Sequence, residues 1–349
     1  MIMFGVDAHK RSHTIVAVDD LGKQVATITV GTTTSDHLDA WAWSERIAGE
    51  APRRWAVEDC RHLSRRLERD LLAAGEQLVR VPPKLMAHMR DSARTYGKSD
   101  PIDALAIARA ALREPGLPVA RLDGPEREVR LLVDFRDSLV AQRTSIVNAL
   151  RWNLHELDPA TEIRPRGFRR LKAYRVVQAQ LENFDGTVAR LAAARCTAAR
   201  ELTVQILALE KEITALVERL TPTLLQVPGC AGLTAAKILG ETAGIARFHS
   251  PDAYARHNGT APLPVWSSNV PRHRLSRTGN RQLNAALHRI ALTQARHHPP
   301  ARTLIARRKE SGKSGKEALR ILKRHLSNVV FHTLTADAQP LMAAQLAAA

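Results

Sequence analysis

The first 110 residues alternate between strand and helix patterns, and this order constrains the fold more than any other feature of the chain. The apolar run MFGVDAH is followed by TIVAVDDLGKQVATITV, in which two alternating runs flank a turn at Asp19–Gly22. A helical pattern over residues 35–48 precedes the strand RRWAVED, the helix HLSRRLERDLLAAG, the strand QLVRVPP and the helix KSDPIDALAIARAAL. Three successive strands and then alternating helices and strands predict an α/β domain with a mixed sheet.

Residues 125–220 have the periodicity of two long helices separated by a basic segment. Apolar residues recur mostly three, four or seven positions apart, at Leu132, Phe135, Leu139, Ile146, Leu150, Leu154 and Leu157, and again at Leu202, Ile206, Leu209, Ile213, Leu216 and Leu220. These patterns predict an arm of antiparallel or coiled-coil helices. The intervening RPRGFRRLKAYR, at 164–175, has two interpretations, a nucleic-acid contact and a solvated loop.

A third region begins near residue 221. Its sequence LLQVPGCAGLTAAKILGETAG resembles a helix-hairpin-helix element, in which hairpin amides and the next helix N-terminus hold a phosphate. Gly229 and Gly232 are therefore candidate nucleic-acid-binding residues, although a plain glycine-rich turn before a helix explains them equally. The predicted domains are 1–120 (mixed sheet with helices), 121–220 (helical arm) and 221–340 (mainly helical).

The charge of the chain predicts a polyanionic partner. It has 52 Lys and Arg against 35 Asp and Glu, a net charge of +17. Residues 253–309 contain eleven Lys and Arg and no Asp or Glu. The absence of acidic residues over so long a segment favours a surface that binds the phosphates of a nucleic acid. The chain has no apolar run long enough to span a bilayer, and its N-terminus does not read as a signal peptide. We therefore expect a cytoplasmic protein with no membrane partner.

Four carboxylates in the first domain stand out in so basic a chain. Asp7 and Glu58 interrupt or end apolar strands, where carboxylates are rare unless they are paired or bind a cation. Asp100 and Asp103 lie three residues apart at the start of a helix, where complementing the helix dipole is the simpler explanation. If strands one and four are neighbours, however, all four side chains can surround one gap. Hard oxygen ligands of this kind favour two Mg²⁺ ions, or Mn²⁺ in their place.

Three blocks of the sequence, in their order and spacing, carry a resemblance to a known family. The N-terminal block contains FGVDAHK, WAVED and KSDPIDALAIA, and the second contains VPGCAGLTAAKILGE and NGTAPLPVWSSNVPRHRLSRTGNRQLNAALHRIAL. The third is SGKSGKEALRILKRHLSNVV. Together they resemble the DEDD transposases of the "IS one-ten" insertion-sequence family, to which the pilin-gene invertases are related.

The resemblance implies a RuvC-like (ribonuclease-H-like) domain whose catalytic and metal-binding acids are Asp7, Glu58, Asp100 and Asp103. It also implies a nucleophilic serine in the C-terminal transposase domain, five residues beyond Pro262, which is Ser267; Ser268 is the alternative.

The resemblance also implies nucleic-acid partners. Arg272, Arg274, Arg277 and Arg281 become candidate phosphate contacts. Donor and target DNA would be selected by a structured non-coding bridge RNA, and paired DNA ends would need a dimer or tetramer.

Three functions follow from these observations. The first is a Mg²⁺-dependent recombinase that cuts and rejoins DNA through a phosphoserine intermediate. The second is a RuvC-like nuclease or junction resolvase that uses water, with Ser267 structural. The third is a nucleic-acid-binding protein without catalytic activity.

Overall fold

The chain forms two compact units, Met1–Asp123 and Gly124–Ala349. The computed structural model describes residues 1–58, 63–83, 85–86, 99–114, 116–117, 119–121, 124–161, 166–267, 270–274 and 279–347, with the backbone alone at 264–267, 270–274 and 340–347. The predicted arm, from residue 124 onward, and the predicted C-terminal region belong to the second unit. Their predicted boundary between residues 220 and 221 stays a prediction.

A five-stranded mixed sheet forms the centre of the first unit. Its strands are β1 (Ile2–Ala8), β2 (His13–Val18), β3 (Gln24–Val30), β4 (Arg53–Glu58) and β5 (Leu78–Val81). The order is β3-β2-β1-β4-β5, antiparallel across the first three strands and parallel from β1 to β4 and β5. Tight turns suffice for the antiparallel pairs, whereas each parallel pair needs a helical crossover. The predicted neighbourhood of strands one and four is confirmed.

Helices cover both faces of this sheet. The helices α1 (Thr34–Ala48) and α2 (Arg65–Ala73) pack on one face, where β1 contributes Phe4 and Val6. The helix α3 (Asp100–Arg113) packs on the other face, where β1 contributes Met3. Because side chains alternate along a strand, positions 5 and 7 of β1 also face α3.

The second unit is almost entirely helical. Its elements are α4 (Pro125–Leu157), a 3₁₀ turn (Gly167–Arg169), α5 (Leu171–Leu181), α6 (Thr187–Leu220), α7 (Pro222–Leu225), α8 (Gly232–Thr242), a 3₁₀ turn (Ile245–Arg247), α9 (Pro251–His257), β6 (Leu263–Ser267), β7 (Val270–Arg274), α10 (Arg281–His297), α11 (Pro299–Glu310) and α12 (Gly315–Ala347). The long helices α4 and α6 pair antiparallel, as the contacts Arg136–Glu210 and Arg195–Asn153 indicate. Within the described residues, no helix is both long enough and apolar enough to cross a membrane.

Two apolar cores hold the second unit together. The larger core gathers buried residues of α8, α10 and α12 against α4 and α6, with Leu287 and Ile290 fully buried. The smaller core lies in the arm around Tyr174, whose hydroxyl donates to the Phe168 carbonyl at 2.7 Å and accepts from Thr203 at 2.9 Å. The arm is therefore a packed structure with its own core, because α5 fills the end of the α4–α6 pair.

Candidate metal centre

Asp7 and Glu58 lie side by side on the sheet. Val6 pairs with Val57 in the parallel β1–β4 register, so Asp7 and Glu58 occupy the next position on each strand. Both positions face α3, because Met3 of β1 and Ala56 of β4 belong to the core beneath that helix. The Asp7 side chain is buried, and Glu58 is half-buried.

The first turn of α3 brings Asp100 and Asp103 to the same face of the sheet. Pro101 stands at the start of the helix, where its missing N–H costs nothing, and the Asp103 amide donates to the Ser99 carbonyl at 3.1 Å. Asp103 is buried at 8% exposure, whereas the Asp100 side chain is 54% exposed. The Asp103 carboxylate is therefore buried between the helix and the sheet, whereas the Asp100 carboxylate is accessible to solvent at the start of the helix.

His9 links the strand and the helix. Its Nε2 lies 3.1 Å from Asp7 Oδ2 and 3.4 Å from Asp100 Oδ1. The ligand atoms of Asp7, His9 and Asp100 all lie within 4.8 Å of one another. His9 was not among the predicted site residues. Its signal in the sequence was its position two residues after Asp7, which puts both on one side of an extended chain.

Burial and like charge both act on Asp7. Burial raises the pKa of the Asp7 carboxyl; His9 opposes this shift, while Asp103 and Asp100 add to it. Three carboxylates so close together repel one another, and a cation between them would offset that repulsion. The carboxylate oxygens suit Mg²⁺ or Mn²⁺, whereas the imidazole nitrogen of His9 is a donor that transition metals prefer. The residues present therefore fit a divalent metal ion.

The predicted nucleophile lies in the second unit, at the end of a two-stranded ribbon. Ser267 is the last residue of β6 and pairs with Val270 of β7. The register pairs position 272 with 265 and position 274 with 263, so the positions of Ser267, Arg272 and Arg274 share one face of the ribbon. Ser268 and Arg277 lie outside the described residues.

The remaining predicted nucleic-acid contacts lie near the larger core. Gly229 has φ +84°, and a Cβ there would lie 3.0 Å from Thr293 Cβ. Gly232 begins α8, and its Cβ would lie 3.0 Å from Thr214 Oγ1. Close packing against threonine side chains thus explains why both positions are glycine. The contact of these glycines with nucleic acid stays a prediction. Arg281, at the start of α10, is exposed.

Comparison with known families covers most of the chain. A transposase family model for the DEDD domain of IS110 elements matches residues 4–159, and the model "Transposase IS116/IS110/IS902 family" matches residues 221–306. The chain belongs to the IS110 type of insertion-sequence transposases. The two models match the regions of the acidic cluster and of the β6–β7 ribbon, respectively.

Relatives of this transposase include proteins of several insertion elements. It is 28% identical to an insertion element IS900 protein of Mycobacterium paratuberculosis, over 95% of this chain and 94% of that protein. It is 27% identical to an insertion element IS110 protein of Streptomyces coelicolor, over 75% of this chain and 76% of that protein. These alignments extend through both units.

Solved structures similar to the transposase include RuvC of T. thermophilus in complex with a Holliday junction substrate. That protein is 16% identical to this chain, with a TM-score of 0.25, over 32% of this chain and 93% of its own. The first unit has a five-stranded mixed sheet with helices on both faces, and the second unit is mainly helical. The predicted fold class is confirmed.

Proposed function

We propose that this transposase is a Mg²⁺-dependent recombinase that cuts and rejoins DNA through a phosphoserine intermediate on Ser267. The observation that carries the proposal is the convergence of Asp7 and Asp100, far apart in sequence, around one position on the sheet. A cluster of acids has little structural use in a unit that could bury apolar side chains instead, whereas metal-assisted phosphodiester chemistry uses one to hold the ions.

Asp7 and Asp100 would hold the metal ion, with Asp103 and Glu58 completing the acidic set. A bound divalent cation would supply charge stabilisation at the phosphoryl oxygens and favour deprotonation of the attacking group. The protein's own residues fix that position: β1 carries Asp7, α3 carries Asp100 and Asp103, and the β1–β4 register aligns Glu58.

The proposed reaction is a transesterification in two halves. The Ser267 hydroxyl oxygen attacks phosphorus, an O–P bond forms, and the bond from phosphorus to one sugar oxygen breaks. The serine gives up its proton, and the leaving sugar oxygen takes one up to become a hydroxyl. A hydroxyl of the new partner strand then attacks the phosphoserine, so the serine is restored and no bond energy is lost. Arg272, Arg274, Arg277 and Arg281 are proposed phosphate contacts.

The choice of DNA sites is proposed to come from a structured bridge RNA. The support is the resemblance to the family; the net charge of +17 and the carboxylate-free segment 253–309 are compatible with RNA and DNA alike. Two DNA partners have to be cut and exchanged, so we propose a dimer or tetramer as the active species.

Covalent trapping tests this mechanism. Protein, Mg²⁺, the element's RNA and a DNA circle carrying the element junction are incubated, quenched in denaturant and assayed for DNA attached to protein. We expect an adduct with the wild type that is lost in Ser267→Ala and in Asp7→Asn. Phosphoserine identified at residue 267 by mass spectrometry would establish the attachment site.

Matched variants separate the alternatives. Ser145→Ala and Asp39→Asn remove an exposed serine of α4 and an exposed carboxylate of α1 that are not among the proposed site residues, and both should keep the adduct. An adduct lost in Ser268→Ala instead would move the nucleophile by one residue. Nicked DNA without an adduct, still formed by Ser267→Ala, would contradict the serine mechanism and favour the water-using nuclease. DNA binding without any cleavage would favour the non-catalytic reading.

A further inference from the structure

A cleft in the second unit concentrates positive charge. It has a volume of about 450 Å³ and is lined by residues of α4, α6, α8 and α10 and of the 3₁₀ turn before α5. Its charged lining comprises the five basic residues Arg136, Arg143, Arg169, Lys237 and Arg289 and the two acids Asp137 and Glu210. The lining therefore carries three more positive than negative charges.

The two acids are already engaged by two of the cations. Arg136 Nε donates to Glu210 Oε1 at 2.9 Å, and Lys237 Nζ lies 2.9 Å from Asp137 Oδ2. Lys237 is only 8% exposed, so this ion pair forms part of the cleft wall. The excess charge consequently resides on the other three side chains.

The three remaining arginines have no carboxylate partner among the described residues. Arg143 is half-buried on α4, and Arg169 and Arg289 are exposed at the cleft from the 3₁₀ turn and from α10. They come from three separate parts of the sequence, so their approach is a product of folding. Apolar wall residues such as Val133 and Val140 lower the local dielectric and strengthen the field that the arginines create.

We propose that this cleft binds the phosphodiester backbone of a nucleic acid strand. The proposal rests on the proposed function in assuming that the transposase handles DNA and a guide RNA. Three guanidinium groups exceed what one phosphate needs, since a single arginine binds a phosphate bidentately. Two of the three arginines also come from basic stretches of the sequence, Arg169 from segment 164–175 and Arg289 from the carboxylate-free segment 253–309. A strand with several phosphates fits three guanidinium groups better than a single phosphate does.

Equilibrium binding of the full-length protein tests the proposal. Fluorescence anisotropy would be measured with a DNA duplex, a DNA single strand and an RNA stem-loop, over a range of salt concentrations in EDTA. The test variant is Arg143→Gln/Arg169→Gln/Arg289→Gln. We expect the affinity of this variant for nucleic acid to be roughly ten-fold or more weaker than that of the wild type. The slope of log K against log salt concentration should fall in magnitude by about two to three, since each phosphate contact contributes about 0.7–0.9.

Two matched triple variants serve as controls. Arg190→Gln/Lys211→Gln/Arg219→Gln removes the same charge from exposed positions of α6 outside the cleft lining, and it should keep most of the salt slope. Arg143→Lys/Arg169→Lys/Arg289→Lys retains the charges and should keep the slope near wild type. Circular dichroism of each variant checks that the helices are intact.

The outcomes separate the two proposals. Weaker binding of the cleft variant to RNA alone, to DNA alone or to both supports the proposed binding site. It also shows which kind of strand the cleft holds. A cleft variant that weakens no more than the α6 control with any probe overturns it. EDTA keeps the binding assay independent of metal-dependent chemistry. A protein that binds through the cleft in EDTA, yet forms no covalent adduct in the separate trapping assay with Mg²⁺, would contradict only the recombinase mechanism.

Discussion

At the scale of single residues, His13 is a buried histidine whose ring has no acidic partner among the residues that the structure describes. It is the first residue of β2, 1% exposed, and its ring stacks on His37 with centroids 5.4 Å apart. His37 itself contacts Asp70 through Nδ1 at 2.7 Å. Burial lowers the pKa of His13 to about 4; His37 and His9 act in the same direction, and Asp36 acts against them. The native fold therefore prefers the neutral ring.

This preference predicts acid sensitivity of the first unit. The native pKa lies below the unfolded value near 6.5, so the unfolded state binds the proton first and stability falls as the pH drops from about 6.5 toward 4. The loss should approach roughly 3 kcal/mol, the upper bound for such a shift. Urea unfolding at several pH values would measure it.

Variants identify the histidine responsible. His13→Gln should flatten the profile between pH 6.5 and 4, because a side chain that does not titrate replaces the ring. His249→Gln removes an exposed histidine and should leave the profile as in the wild type. An unchanged profile in His13→Gln would contradict the assignment.

The candidate metal centre illustrates what residue types alone can and cannot indicate. Asp7 was a candidate because a carboxylate in an apolar strand is unusual, whereas Asp100 and Asp103 became candidates only in combination with it; the fold brings the three to one face of the sheet. The spacing of His9 from Asp7 was a weak signal by comparison, since a histidine after a strand is common. Only its 3.1 Å and 3.4 Å distances to Asp7 and Asp100 distinguish it.

At the scale of elements, the position of α3 depends on a glycine in β1. A Cβ at Gly5 would lie 2.2 Å from the Ala104 carbonyl oxygen and 2.5 Å from the Ala108 nitrogen, both in the backbone of α3. The helix therefore approaches the strand more closely than any side chain would permit. This approach sets how far Asp100 and Asp103 stand from Asp7.

We expect Gly5→Ala to destabilise the first unit by about 3 kcal/mol or more, because overpacking against backbone cannot be relieved by a rotamer change. Thermal or urea unfolding would measure the change. Gly315→Ala is the control, since its Cβ would meet only Lys309 Cε, at 3.6 Å. Equal, small effects of the two substitutions would show that α3 can move away from the sheet without cost.

Element types followed from periodicity more readily than element ends. The predicted helix at 35–48 is α1 at Thr34–Ala48, and the two predicted helical stretches of the arm are α4 and α6. The segment 164–175 had no such pattern. Part of it forms the 3₁₀ turn Gly167–Arg169, and α5 begins at Leu171, which tertiary packing around Tyr174 explains better than local propensity.

At the scale of the whole molecule, each unit has cores of its own. The two cores on either side of the sheet draw their buried residues from positions 3–120. The cores of the second unit draw theirs from positions 129–334. A unit whose hydrophobic core is formed entirely by its own residues can in principle fold by itself.

We therefore expect the fragments 1–123 and 124–349 each to fold when expressed separately, with a cooperative thermal transition and near-ultraviolet circular dichroism. The control fragment 1–99 lacks α3, exposes one face of the sheet and should show no such transition. A fragment 1–123 that resembles this control would contradict the independence of the first unit.

The sequence by itself determined the order of strands and helices, the basic character of the chain and the candidate acids. Alternation, helical periodicity and charge are local properties that each segment carries wherever it packs. Only the tertiary structure decided that His9 lies between Asp7 and Asp100, and that Arg143, Arg169 and Arg289 line one cleft. Distances between residues remote in sequence are set by the packing of whole elements, which no local pattern encodes.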